Sequence, residues 1–174
     1  GWVSSNNILL FDGNDSATLI DTGYVDHSEQ TLLLVRHALN GRQLTRIINT
    51  HLHSDHCGGN ALLKKTLGPA VLIPPGHAEA VGRWDDAALG YSACGQACDR
   101  FMHDALIQPG ERLMLAGDEW QAFASPGHDP HSIVLWNSHD RTLISADALW
   151  QHGFGAIFPE VEGQSGFAEQ RAIL

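Results

Sequence analysis

Thr50-His51-Leu52-His53-Ser54-Asp55-His56-Cys57-Gly58-Gly59-Asn60 packs four ligand-type side chains into six residues. Residues 46–50, Arg-Ile-Ile-Asn-Thr, read as a short β-branched strand that runs directly into it. Side chains two apart on an extended segment point the same way. His51 and His53 are therefore predicted to present two imidazoles to one ion. Asp55 and His56 follow where the chain turns and aim at a neighbouring position. Gly58-Gly59 is expected to permit a tight change of direction, and Asn60 to cap the next helix. Buried without an ion, such a cluster would leave several polar atoms unpaired. Imidazole nitrogen and carboxylate oxygen suit zinc, iron or manganese, so the segment predicts a metal centre with donors for two adjacent ions.

Upstream, residues 7–11 and 17–21 read as short strands around the turn Asp12-Gly13-Asn14-Asp15. Residues 28–39 follow with Leu32, Leu33, Val35, Ala38 and Leu39 at helical spacing and Asn40-Gly41 as the stop. Downstream, a helix is predicted after Asn60, a buried strand over 71–74 and a helix over 78–84. The Gly-, Ala- and Cys-rich stretch 86–98 suits a loop-and-helix insertion over a site. After the turn Pro109-Gly110-Glu111, strands are predicted over 119–124, 132–137 and 141–145. Residues 153–158 are irregular and 167–174 helical. Helices and strands alternate early and strands cluster late, which predicts a mixed α/β layered fold.

Two loops extend the metal reading. Ser125-Pro126-Gly127-His128 sets a histidine at a turn after a strand, and Ser145-Ala146-Asp147 sets a carboxylate at the end of another. Ten basic against twenty acidic residues give a net charge of -10, which opposes a broad nucleic-acid or anionic-membrane surface. A small substrate held by metals is compatible with that sign. No apolar run approaches the roughly 18 residues of a membrane span. Cys57, Cys94 and Cys98 form no disulfide framework and read as reduced thiols, favouring a reducing, cytoplasmic setting. His131, Trp150, Phe154, Phe158 and the Cys94 region are candidates for a pocket wall. His27, His37, His77, His103 and His139 are read as ordinary surface or packing residues, and His152 as a loop or pocket-wall histidine.

In that order, Ile20-Asp21-Thr22-Gly23, His51-x-His53-x-Asp55-His56, Pro126-Gly127-His128 and Ser145-Ala146-Asp147 resemble the landmarks of the metallo-β-lactamase superfamily. The resemblance implies a four-layer αββα sandwich of one domain over residues 1–174, incomplete at both ends, whose last histidine ligand is expected beyond Leu174. It also implies roles. His51, His53 and His128 look like the first metal site, Asp55 and His56 like ligands of the second, Asp147 like the bridging carboxylate and Asp21 like a structural acid beside them. A carboxylate at Asp147 points toward the glyoxalase II-like branch.

The expected activity is that of a dinuclear metallohydrolase, with two zinc ions (iron or manganese as substitutes). A metal-bound hydroxide would attack a small ester-like substrate, a thioester or lactone in preference to a β-lactam. Asp55 is the expected catalytic residue, orienting the nucleophile and moving its proton. The partner is a small molecule rather than nucleic acid or membrane, and no oligomeric state is assigned. The alternatives are an iron-dependent persulfide dioxygenase-like oxidoreductase on the same fold and a catalytically defective metal-binding scaffold.

Overall fold

The computed structural model describes residues 5–161 and 163–173. Two sheets pack face to face. The first has the strand order β1 (Ile8–Asp12), β2 (Ser16–Ile20), β3 (Gln43–Ile48), β4 (Ala70–Ile73), β5 (Ala105–Leu106). Its β1–β2 pair is an antiparallel hairpin, and β2 through β5 run parallel. The second sheet is an antiparallel meander of β6 (Arg112–Leu115), β7 (Asp118–Ala124), β8 (Ile133–Asn137) and β9 (Thr142–Ile144).

Parallel strands need crossovers, and helices supply them. Helix α1 (Ser28–Leu39) joins β2 to β3, and α3 (Asn60–Leu67) joins β3 to β4. On α1 only Leu32, Val35, Leu39 and Thr31 are buried, and Leu33 is 65% exposed. The predicted stripe is thus narrower than the run of leucines suggests, because one helical face cannot hold adjacent positions 32, 33 and 34 together. Asn40 ends the helix in the left-handed conformation at φ 46°. The inner strands are buried on both faces. Ala17, Leu19 and Ile47 face the helices with Leu32, Val35 and Leu63, while Ile20 and Ile48 face Trp120, Ala122, Ile133 and Leu135 of the second sheet.

This is the expected mixed α/β sandwich. Of its helical layers, α1, α3 and α4 (Ala78–Arg83) cover the first sheet. Among the described residues, α6 (Phe158–Val161) and α7 (Phe167–Ile173) sit at one end of the second sheet, where Gln170 donates to the Ala148 carbonyl at 2.6 Å. Met114 and Phe123 on that sheet's outer face remain exposed.

The structure revises several local expectations. Strand β3 spans Gln43–Ile48, so Asn49 and Thr50, expected in the strand, already belong to the loop that carries His51 and His53. Strands β5 and β6 were not predicted, since two residues and the mixed sequence Arg-Leu-Met-Leu carry little periodic signal. The 86–98 stretch is the expected loop-and-helix insertion, one short helix, α5 (Asp86–Leu89), followed by turns. Leu174, the end of the predicted last helix, lies outside the described residues.

The turn after α2 (Ser54–Cys57) is also built differently from the reading above. Gly58 and Gly59 have ordinary helical φ values of -61° and -83°. They are needed for close approach: a Cβ on Gly58 would lie 2.4 Å from the Val25 nitrogen and 2.6 Å from the Ser54 carbonyl oxygen. Asn60 does not cap α3. Its amide donates to Asn49 Oδ1 at 2.7 Å and its oxygen accepts from Thr22 Oγ1 at 2.8 Å. Because backbone cannot yield as a side-chain tip can, Gly58→Ala should destabilise the chain by about 2–3 kcal/mol, read as a shift of the urea midpoint. An unchanged midpoint would refute the close-packing role.

Candidate metal centre

The cleft lies at the carboxyl ends of the parallel strands, where open α/β sheets place their ligands. Four segments converge there. Asp21 follows β2, residues 49–56 follow β3, the 125–131 loop joins β7 to β8, and a short 3-10 turn (Ala146–Ala148) follows β9. Backbone bonds extend the sheets into this region. Asp21 N donates to Ile48 O at 3.0 Å, Asn49 N to Leu72 O at 3.0 Å and Ile133 N to Thr50 O at 2.9 Å.

Three imidazoles meet at one point. His53 Nδ1 lies 3.1 Å from His51 Nε2 and 2.9 Å from His128 Nε2. The outward nitrogen of each ring faces an acceptor. His51 Nδ1 is 3.1 Å from Thr50 Oγ1, whose own proton goes to Asp21 Oδ2 at 2.8 Å. His128 Nδ1 donates to the Ala156 carbonyl at 2.5 Å, and His53 Nε2 faces Asp129 Oδ2 at 3.6 Å. These contacts select the tautomers with outward N–H groups. Three bare lone pairs then point at one another, an arrangement that repels unless a cation sits among them. Nitrogens bound at about 2.0–2.1 Å to a tetrahedral zinc ion stand roughly 3.3 Å apart, close to the spacing seen.

A second group adjoins the first. His51, His56 and Asp147 have ligand atoms within 4.8 Å of one another, as do His51, His53 and His128. His56 Nδ1 is held by Asp21 Oδ2 at 2.8 Å. Its Nε2 is buried without a hydrogen-bond partner and faces Asp147 Oδ2 at 3.5 Å. The same carboxylate oxygen lies 3.4 Å from His128 Nε2, so Asp147 stands between the groups. Asp55 lines the cleft with Oδ2 3.8 Å from His56 Nε2, outside both three-residue groups.

Thr50, Asp129 and the Ala156 carbonyl orient ligands but carried no sequence signal beyond their neighbours. Gly155 is equally silent in sequence. A Cβ there would lie 2.7 Å from His128 Nδ1 and 2.6 Å from the Asp147 carbonyl. His77, read as an ordinary residue, lines the cleft with its ring 4.6 Å from that of His131. Trp150, Phe158 and Cys94 also line it; Phe154 and His152 do not. The cleft encloses about 1050 Å³.

Electrostatics divide the rings. Burial, reinforced by the other imidazoles, holds His51 well below its ordinary value. Burial likewise lowers His53 to about 4, against the pull of Asp129. On His56 burial opposes charge, but Asp21 and Asp147 outweigh it and raise the ring to about 10. Burial disfavours the Asp147 charge, yet His56 and His128 overcome it and hold the carboxyl at about 2.

The sign of the resulting pH dependence differs between rings. An unfolded histidine titrates near 6.5. Between about 6.5 and 4 the unfolded chain binds the proton that folded His53 refuses, so stability falls as pH falls. His56 stabilises fully below about 6.5 and loses that contribution as pH rises toward 10. Chelator-treated protein should therefore be most stable near pH 6.5, losing on the order of 2 kcal/mol to either side. Urea unfolding across that range tests this, and a monotonic rise with pH would contradict it.

Histidine and carboxylate groups converging at the end of an αββ scaffold define a metal-binding class of fold. The metallo-beta-lactamase superfamily matches residues 1–171, and the chain belongs to it. It is 28% identical over 151 residues to the hydroxyacylglutathione hydrolase of Rhizobium meliloti (strain 1021), covering 87% of this chain and 50% of that protein. The hydroxyacylglutathione hydrolase of Methylococcus capsulatus is 30% identical over 133 residues, 75% of this chain and 41% of that protein. The chain thus spans about half the length of the curated relatives it matches. The native FEZ-1 metallo-beta-lactamase from Legionella gormanii superposes with a TM-score of 0.73 over 99% of this chain and 70% of its own, at 14% identity, a likeness of fold. Among the described residues no helix is long and apolar enough to cross a membrane.

Proposed function

We propose that the chain carries the metal centre of a hydrolase acting on a small ester-like substrate, a thioester or lactone. The observation that carries this reading is the convergence of His51 Nε2, His53 Nδ1 and His128 Nε2 with every outward nitrogen facing an acceptor. The partnerless His56 Nε2 beside Asp147 supports a second ion next to the first. His51, His53 and His128 would hold one ion, and His56, Asp147 and Asp55 the other, with zinc the metal that best suits this donor set. When bound, such ions lower the pKa of coordinated water and polarise a carbonyl oxygen.

The chain's own residues supply the rest. Asp21, through Thr50 and directly, fixes the His51 and His56 rings. Asp129 and the Ala156 carbonyl do the same for His53 and His128. Asp55, on the cleft wall beside His56, is placed to hold a proton and pass it to a leaving group. The names of the relatives favour the thioester, since an acyl group on the glutathione thiol is one.

The test is hydrolysis of thioesters and lactones by zinc-reconstituted protein, with metal content measured alongside. Activity lost on chelation and restored by zinc is the expected result. Asp55→Asn should lower turnover at least about a hundredfold, the lower end of the range for a positioned proton carrier; undiminished turnover would remove Asp55 from the mechanism. A second reading, a one-metal iron-dependent persulfide oxygenase, draws on the tighter spacing of the three-histidine group. Oxygen consumption with a persulfide would select it.

A further inference from the structure

Cys57 is fully buried one residue beyond His56, and its Sγ lies 3.8 Å from the Sγ of Cys98, 41 positions away in sequence. The rest of its shell is fixed. The thiol faces the carbonyls of His53 at 3.3 Å and Leu52 at 3.6 Å and the Tyr91 hydroxyl at 3.3 Å. Cys98 is half-buried and ends a stretch of turns that leans on the metal-bearing turn at three points. Tyr91 donates to the Leu52 carbonyl at 2.9 Å, Ser54 Oγ bonds Gln96 Oε1, and the two thiols meet.

We propose that Cys57 and Cys98 are a thiol-oxidation site that closes to a reversible intrachain disulfide. Hydrogen peroxide is the oxidant. Cys98 Sγ attacks the peroxide, the O–O bond breaks, one water leaves and a sulfenic acid remains on Cys98. Cys57 Sγ then forms the S–S bond as the S–O bond breaks, and the thiol proton departs with the hydroxyl as a second water. Two thiols and one peroxide become one disulfide and two waters, and a dithiol reductant reverses the change by exchange.

Disulfide sulfurs stand about 2.05 Å apart, so one side must move by roughly 1.8 Å. The Cys57 side is locked, because Gly58 and Gly59 leave no room against residues 22–25. The moving side is therefore 91–98, which carries Tyr91, Ala93, Cys94 and Gln96 on the cleft wall. Oxidation would fasten that wall to α2 whatever reaction the cleft performs.

The test uses the exposed Cys94 as its control. In Cys94→Ser, peroxide should reduce the titratable thiols from two to none. Peptide mapping should link Cys57 to Cys98 within one chain, and dithiothreitol should restore both thiols. In Cys94→Ser/Cys98→Ser, the remaining Cys57 should stay titratable after unfolding. Retention of both thiols in Cys94→Ser, a Cys94–Cys98 link in the unmodified chain, or a link between chains would overturn the proposal.

Discussion

Replacing His51 with alanine is expected to empty the three-histidine group and to spare the neighbouring one. His51 Nε2 stands among the donors of both groups, but its single lone pair can serve one ion, and it points at His53 Nδ1. Removing His51, His53 or His128 therefore takes a donor from the first group, and removing His56 takes one from the second. Bound zinc per chain should fall to about half its original value in His51→Ala and in His56→Ala, and to near zero when both are replaced. Loss of an orienting partner alone costs ten- to hundredfold in metal affinity. Loss of a donor should exceed about a hundredfold at its own group, with hydrolysis falling in step. Elemental analysis after dialysis against limiting zinc reads the result. A His51→Ala chain that keeps its full zinc content would show that His51 is not a donor.

Asp21→Ala should be the most destabilising single change beside the site, by about 3–5 kcal/mol, the range for breaking a buried charged pair. Asp21 is 2% exposed and receives the Thr50 backbone N–H at 2.9 Å, the Thr50 hydroxyl at 2.8 Å and His56 Nδ1 at 2.8 Å. It also sits in the left-handed region at φ 57°, where aspartate and asparagine are tolerated better than alanine. Asp21→Asn keeps an acceptor for Thr50 and the backbone preference while removing the charge beside His56. It should cost less stability but still weaken zinc binding about tenfold. Equal losses in the two variants, by urea unfolding and zinc titration, would mean that the charge alone carries the effect, and zinc binding unchanged in Asp21→Asn would mean that the charge is irrelevant.

Much of this site can be read from residues 50–60 because its donors crowd into one turn. The mechanism of their convergence differs from strand alternation, however. His51 and His53 lie beyond β3, and they meet through unlike nitrogens, Nε2 of one and Nδ1 of the other. His128 and Asp147 were found from their places at strand ends, a topological signal that survives without local periodicity. Asp129, Gly155 and the Ala156 carbonyl were not, since their roles exist only once distant loops touch. The fold follows the same division. Helix α1 and the β1–β2 hairpin are local and legible, with the helix bounds as predicted. The two-residue β5 forms because β4 offers it an open edge, which no window of its own sequence reveals.

The inward-pointing lone pairs have a consequence for abundance in the cell. A chain that folds against that repulsion is less stable empty than filled, so metal capture and folding draw on one free energy. At a free-metal level a hundred times the dissociation constant, occupancy adds about 2.7 kcal/mol to the folded state. Proteases that degrade transiently opened chains sense that difference directly. Metal scarcity would then appear first as a shorter protein half-life, and metal supply would set how many copies persist.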